Sequence, residues 1–188
     1  RVAYPNLIKG TVVKAPSVVW QSDITYIAVN ARFYYAVFII DVYTRKIVGH
    51  RVSGHMRAEA NLKALKQALS THRAPEFHHS DRGSQYTSSE YINLLKTQGS
   101  KISMGLKAQD NAYAERINLT IKEEYLNHWE TKSYTQLGQQ VNKAVKNYNL
   151  KRIHNEINKL SPIQLEDIYF KKGKYPSVEV TIFNEESN

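Results

Sequence analysis

The chain has no cysteine among its 188 residues. That excludes disulfides and thiolate metal sites and suits a reducing compartment, so a cytoplasmic location is expected. No apolar run approaches the roughly 18 residues a spanning helix needs, so no membrane association is expected. The longest run, Tyr34 to Val42, contains Asp41 and reads as a strand. There is no signal-peptide pattern, repeat or low-complexity tract. Acid is scarce: 17 Asp and Glu face 26 Lys and Arg, for a net charge of +9 and a pI near 9.6. Such an excess serves solubility, or a polyanionic partner such as nucleic acid. It is uneven: from Lys143 to Lys174 eight bases stand against three acids, whereas the last ten residues hold three Glu and no base.

What is present suits a single globular domain, with 41% hydrophobic residues, 23% charged and 13 tyrosines. The chain opens at Arg1 without Met and is expected to continue a longer protein. Residues 1–17 lack a period and hold Pro5, Gly10 and Pro16, which predicts a linker or arm. Residues 18–29 and 33–43 are rich in β-branched and aromatic types and predict two strands, the second buried on both faces. A third strand, 46–53, completes an antiparallel meander. The period then becomes helical over 57–72. A strand at 76–79, a helix from Ser88 or Ser89 to Gln98 with Gly99 as its stop, and a strand at 101–103 follow. Residues 104–109 read as a mobile loop. Asp110 is expected to cap a helix to about Asn127, with further helices over 133–149 and from Ser161-Pro162 to Ile168. The order β-β-β-α-β-α-β-α-α matches a ribonuclease H-like α/β fold: a five-stranded mixed sheet, an antiparallel meander plus parallel strands, flanked by helices. Residues 18–170 form this core and 171–188 a frayed tail.

Three acids stand out. Asp23 sits inside a strand, where Asp is depleted. Asp81 follows a strand end, where ligand sites gather in open sheets. Glu115 lies on a helical stripe with Asn111, Asn118 and Lys122. Each also has an ordinary reading: a solvated edge face, a turn Asp, a solvated helix face. Brought together by the fold, two carboxylates about 4 Å apart repel by roughly 1 kcal/mol in water and about 4 at an effective dielectric of 20. A site holding three calls for cations, and oxygen ligands without sulfur point to Mg²⁺ or Mn²⁺. Two such ions act on both attacking and leaving oxygens at phosphorus. Asp41 is expected to pair with a turn group such as Arg45 rather than with metal.

The chain resembles, over most of its length, the integrase catalytic core shared by retroviral integrases and bacterial insertion-sequence transposases with a DDE triad. The resemblance rests on Trp20-Gln-Ser-Asp-Ile-Thr-Tyr-Ile27, Ile40 to Gly49, His79-Ser-Asp-Arg-Gly-Ser-Gln-Tyr-Thr-Ser88, Asp110-Asn-Ala-Tyr-Ala-Glu115, and Tyr148-Asn149 with Arg152, His154 and Leu160-Ser-Pro162. It assigns Asp23, Asp81 and Glu115 as the catalytic, metal-binding triad. Two departures stand out. Between the last two acids lie 33 residues, two fewer than is usual, and Ile153 replaces the proline that commonly follows the arginine.

The resemblance implies an enzyme, a polynucleotidyl transferase with nuclease activity. It would cleave transposon ends and join 3′-hydroxyl ends to target DNA, using two Mg²⁺ or Mn²⁺ ions, as a homo-oligomer on the nucleoid. It also implies a preceding helix-turn-helix region for DNA binding. Lys107, Asn111, Asn118, Lys122, Arg152 and His154 are the expected DNA contacts, with His79 and Gln85 supporting the acids. The alternative is a ribonuclease H-like nuclease that only hydrolyses; such enzymes use a further acid from the first helix, where Glu59 stands.

Overall fold

The computed structural model describes residues 4–171 and 178–184. Its strands are β1 (Val12–Val13), β2 (Val19–Val29), β3 (Arg32–Asp41), β4 (Ile47–Ser53), β5 (Phe77–Ser80), β6 (Lys101–Met104) and β7 (Val180–Thr181). Its helices are α1 (Ala58–Thr71), α2 (Ser89–Thr97), α3 (Ala112–Glu124), α4 (Tyr134–Lys151) and α5 (Pro162–Lys171). The main sheet has the order β4-β3-β2-β5-β6. β2, β3 and β4 pair antiparallel, while β5 pairs parallel with β2 and β6 parallel with β5. This is the expected mixed sheet.

Strand alternation sends β2 side chains to two layers. Trp20 packs with Leu65 and Ala68 of α1 and with Tyr91 and Leu95 of α2. Ile27 and Val29 pack with Ile117 and Ile121 of α3 and with Leu137 and Val141 of α4. The sheet thus lies between two helical layers. α1 approaches β4 so closely that a Cβ on Gly49 would lie 2.4 Å from the Ala64 carbonyl oxygen.

The ends differ from expectation. Within 1–17, β1 pairs antiparallel with β7, drawn from the stretch expected to be a frayed tail. Ile8, Val13, Val178, Val180 and Ile182 are buried with Val42, Tyr43, Ile157 and Leu165 in a third core. The Met104 amide donates to the Pro5 carbonyl (3.1 Å) and the Leu7 amide to Ser103 Oγ (2.8 Å), so residues 5–7 run beside β6. Residues 1–3, 172–177 and 185–188 of the expected arm and tail lie outside the described residues. Apolar residues on a short segment have no local period; only the partner strand reveals their role. Asp41 also departs from its expected pairing. Its carboxylate accepts from the amides of Ser17, Tyr43 and Thr44 and from Trp20 Nε1, while the Arg45 guanidinium bonds the Val42 carbonyl and stacks 4.5 Å from the Tyr113 ring.

No helix of the described residues is long and apolar enough to cross a membrane.

Candidate active site

β2 supplies the first acid. Gln21 pairs with His79 across the parallel β2–β5 ladder. Carrying that register two residues further along each strand brings Asp23 level with Asp81, just past the end of β5, on the face turned to α3. The second acid sits in a tight turn, where the Gly83 amide donates to Asp81 Oδ1 (2.8 Å). A Cβ on Gly83 would lie 2.9 Å from that same oxygen, so this turn needs glycine to leave the carboxylate in place. The next residues brace the turn, as Gln85 Nε2 donates to the Met56 carbonyl (3.2 Å).

α3 supplies the third acid, and its anchoring differs from expectation. Asp110 does not cap α3; it faces back along the chain and accepts from the amides of Leu106 (2.8 Å) and Lys107 (3.1 Å). Together with a 3₁₀ turn at Ala108–Asn111, this pins the loop read as mobile. A Cβ on Gly105 would lie 2.4 Å from Asp110 Cβ, a measure of how tightly the shortened loop closes. The orphan amides at the start of α3 go to the neighbouring strand: Gln21 Oε1 accepts from Tyr113 (3.0 Å) and Ala114 (3.3 Å). Asn111 Nδ2 donates to the Ser22 carbonyl (2.9 Å), and Asn118 Nδ2 to Asp23 Oδ2 (3.0 Å).

Asn111 and Asn118, expected as DNA contacts, instead face β2 here. They are 4% and 6% exposed and tie α3 to β2. Reading the stripe as surface equated polar with solvated, yet it packs on an equally polar strand face. Lys122 remains half-buried on the same stripe with no ion-pair partner among the described residues. Lys107 is exposed at the loop.

Arg152 and His154 also differ from simple DNA contacts. Arg152 grips Glu124 through Nε to Oε2 and Nη2 to Oε1, both at 2.7 Å, joining the ends of α3 and α4. His154 is buried and bridges to Leu160; burial, aided by the charges of Arg152 and Arg45, pushes its pKa down to about 4. His79 is buried with Nδ1 2.8 Å from Ser103 Oγ, and burial lowers it to about 4. It holds β5 to β6 beneath the Asp81 turn.

The electrostatics favour a cation. The Asp23 carboxyl is raised to about 6, chiefly by burial and also by the charges of Asp81 and Glu115, against the bonds from Ile24 and Asn118. Glu115 is raised by burial. Among the described residues no three acids or histidines converge into a ready metal cluster. In kind, however, the donors fit a hard divalent cation: three carboxylates from three elements, no sulfur, and mutual repulsion that positive charge would relieve. Sequence reasoning missed Gln21 and Ser22. Ser22 Oγ meets Tyr86 Oη at 2.8 Å under the acids. The available signal was a pair of polar residues directly before Asp23 in an otherwise apolar strand.

Comparison with known proteins agrees with this fold. Residues 13–109 and 99–162 match family models described as Integrase core domain. The chain is 35% identical over 171 residues to the insertion element IS600 uncharacterized 31 kDa protein of Shigella sonnei, covering 88% of this chain and 63% of that protein. It is 38% identical over 173 residues to the transposase for insertion sequence element IS904 of Lactococcus lactis subsp. lactis, covering 86% and 66%. It thus spans about two thirds or less of those relatives' length. Among solved structures, the HTLV-2 integrase catalytic core domain in complex with magnesium superposes with a TM-score of 0.66 at 20% identity, over 85% of this chain and 97% of that one. The BIV integrase catalytic core domain gives 0.60 at 20% identity, over 84% and 96%. These likenesses show the same ribonuclease H-like fold.

Proposed function

This chain belongs to the integrase core domain family, and on that premise we propose that it is the catalytic core of a DDE transposase. It cleaves DNA at the ends of a mobile element and joins the 3′-hydroxyl ends to target DNA. Asp23, Asp81 and Glu115 would hold two Mg²⁺ or Mn²⁺ ions, which when bound activate the attacking oxygen and offset charge on the leaving one. The chain's own part is positioning: Gln21 and Asn111 fix the register of α3 and hence of Glu115, Asn118 orients the Asp23 carboxylate, and the Gly83 turn sets Asp81. Lys122, on the helical stripe of Glu115, and the exposed Lys107 would take DNA phosphates. Holding two DNA ends at once calls for more than one copy of the chain, working in the bacterial cytoplasm on the nucleoid.

The observation that carries this reading is the placement of Asp23 on β2, Asp81 just past β5 and Glu115 on α3 near enough that the charges of the last two both act on the Asp23 carboxyl. The kinship with transposases of insertion elements supports the joining step. The hydrolysis-only alternative would enlist Glu59, but that side chain is exposed and paired with Lys63 at 2.5 Å.

A strand-transfer assay with labelled element ends tests the reading. The intact chain, with Mg²⁺ or Mn²⁺, should cleave and join. Glu115→Gln should lose both steps, while Glu123→Gln, at an exposed neighbour, should keep them. Cleavage without joining would support the nuclease, and full joining by Glu115→Gln would remove the third acid from the site.

A further inference from the structure

A second flank of α3 borders a cavity to which nothing above gives a role. It has a volume of about 660 Å³ and opens between α3 and the segment that follows α4. Tyr113, Arg116, Ile117 and Thr120 line it at i, i+3, i+4 and i+7, a different stripe from that of Asn111, Glu115, Asn118 and Lys122. Three guanidinium groups face it, from Arg45, Arg116 and Arg152, against one acid, the exposed Glu156. Glu124 holds Arg152 through Nε and Nη2, which leaves Nη1 beside His154 Nδ1 at 3.2 Å. Arg116 is exposed and has no ion-pair partner among the described residues.

Arg45 points to a ligand. It is 9% exposed, yet no carboxylate pairs with it among the described residues. Asp41, the acid of the same turn, accepts instead from Ser17, Tyr43, Thr44 and Trp20. The Arg45 guanidinium has several N–H donors. Nη1 answers the Val42 carbonyl, and the group lies 4.5 Å from the Tyr113 ring centre. The backbone is strained to hold it there: φ is +64°, in the left-handed region that favours glycine. A buried charge without a counter-charge is costly, and strain of this kind gathers at ligand sites.

We infer that this cavity binds the phosphate of a nucleotide, held in a DNA strand or free. Guanidinium forks match phosphate oxygens in pairs, and no lysine borders the cavity among the described residues. The volume far exceeds that of a bare anion and lies in the range of small-molecule sites. Ile40, Ile117 and the Tyr148 ring form buried apolar walls that suit a sugar and base. Arg45 and Arg116 would take the phosphate. The cavity uses none of the three acids, so its occupancy does not rest on the transposase reading.

The test uses the whole chain and reads binding, not activity. In ¹⁵N NMR, thymidine 5′-monophosphate should shift the Arg45 Nε–H signal and the backbone amides of Ile153 and Asn155. Thymidine and inorganic phosphate at equal concentration should move them far less. An equal response to thymidine removes the need for a phosphate, and an equal response to phosphate removes the need for a nucleotide; either overturns the site. A short DNA duplex that shifts the same signals makes DNA the source, and a response to the monophosphate alone makes it a free nucleotide. Silence to both overturns the site. Arg45→Gly and Arg116→Gln should each lower affinity about tenfold. Glycine adopts φ +64° freely and keeps its carbonyl for the Tyr148 hydroxyl (2.8 Å), so the turn survives. Arg116 is exposed, so its replacement leaves the fold intact. Glu156→Gln should tighten binding by removing the one acid of the lining. Unaltered affinity in both arginine variants overturns the assignment. A chain that joins DNA ends yet fails these titrations would refute this site and leave the proposed function standing.

Discussion

Asn118 donates its side-chain amide to Asp23 Oδ2 at 3.0 Å, so the helix that carries Glu115 also grips the acid of the central strand. This bond lowers the Asp23 pKa against burial, which raises it. It also leaves Asn118 Oδ1 buried without a partner among the described residues, so the amide is placed for the carboxylate alone.

Asn118→Leu should therefore move the Asp23 titration above its value near 6, followed by ¹³C NMR of the carboxyl. Partners that orient a metal ligand are commonly worth 10–100-fold in metal affinity. Calorimetry with Mn²⁺ should show a loss of about that size. Unchanged Mn²⁺ affinity would make Asn118 a packing residue only.

The raised Asp23 pKa also predicts a pH-dependent stability difference. A carboxyl that titrates at about 6 folded and 3.8 unfolded binds its proton more tightly in the fold. Ionised Asp23 is thus a full cost above pH 6, and the cost fades as pH falls from 6 towards 3.8. Metal-free Asp23→Asn should be more stable than the parent above pH 6, by up to about 3 kcal/mol. The gap should close near pH 4, and Mg²⁺ should stabilise only the parent at pH 7.5. Melting curves in chelator across this range decide; a gap independent of pH would locate its origin elsewhere.

Gln21 is the third test. Gln21→Leu removes the acceptor for the Tyr113 and Ala114 amides, and a buried unmade bond costs about 1–3 kcal/mol. Urea denaturation should show that loss. DNA joining should fall further than stability accounts for, because Glu115 loses its register. Gln21→Glu keeps the acceptor and places negative charge at a helix N-terminus, so it should recover most of the stability.

The mixed sheet and the main helices were legible because strand and helix periods are local, and the three candidate acids stood out because the motifs around Asp81 and Glu115 are contiguous. The closure of the chain ends was not. Val12 and Val13 meet Val180 and Thr181, a pairing across nearly the whole chain that no local window contains. Nor was the inner role of Asn111 and Asn118, since a polar helix stripe looks the same whether it meets water or a polar strand. Asp110 was misplaced for a related reason: an Asp before a helix reads as its cap, but Gln21 of β2 had already taken the α3 amides.

The sheet's two outer strands would each present an unpaired ladder, the usual template for edge-to-edge aggregation. Both are blocked by borrowed groups. On β4, Asn149 answers both the N–H and the C=O of Ile47, Gln67 takes the His50 amide, and Tyr134 reaches the Val52 carbonyl. On β6, the Pro5 carbonyl accepts from the Met104 amide and the Leu7 amide donates to Ser103 Oγ. On the proposed reading, copies of the chain brought together on DNA must associate without their sheets fusing, and these side chains and residues 5–7 guard against that.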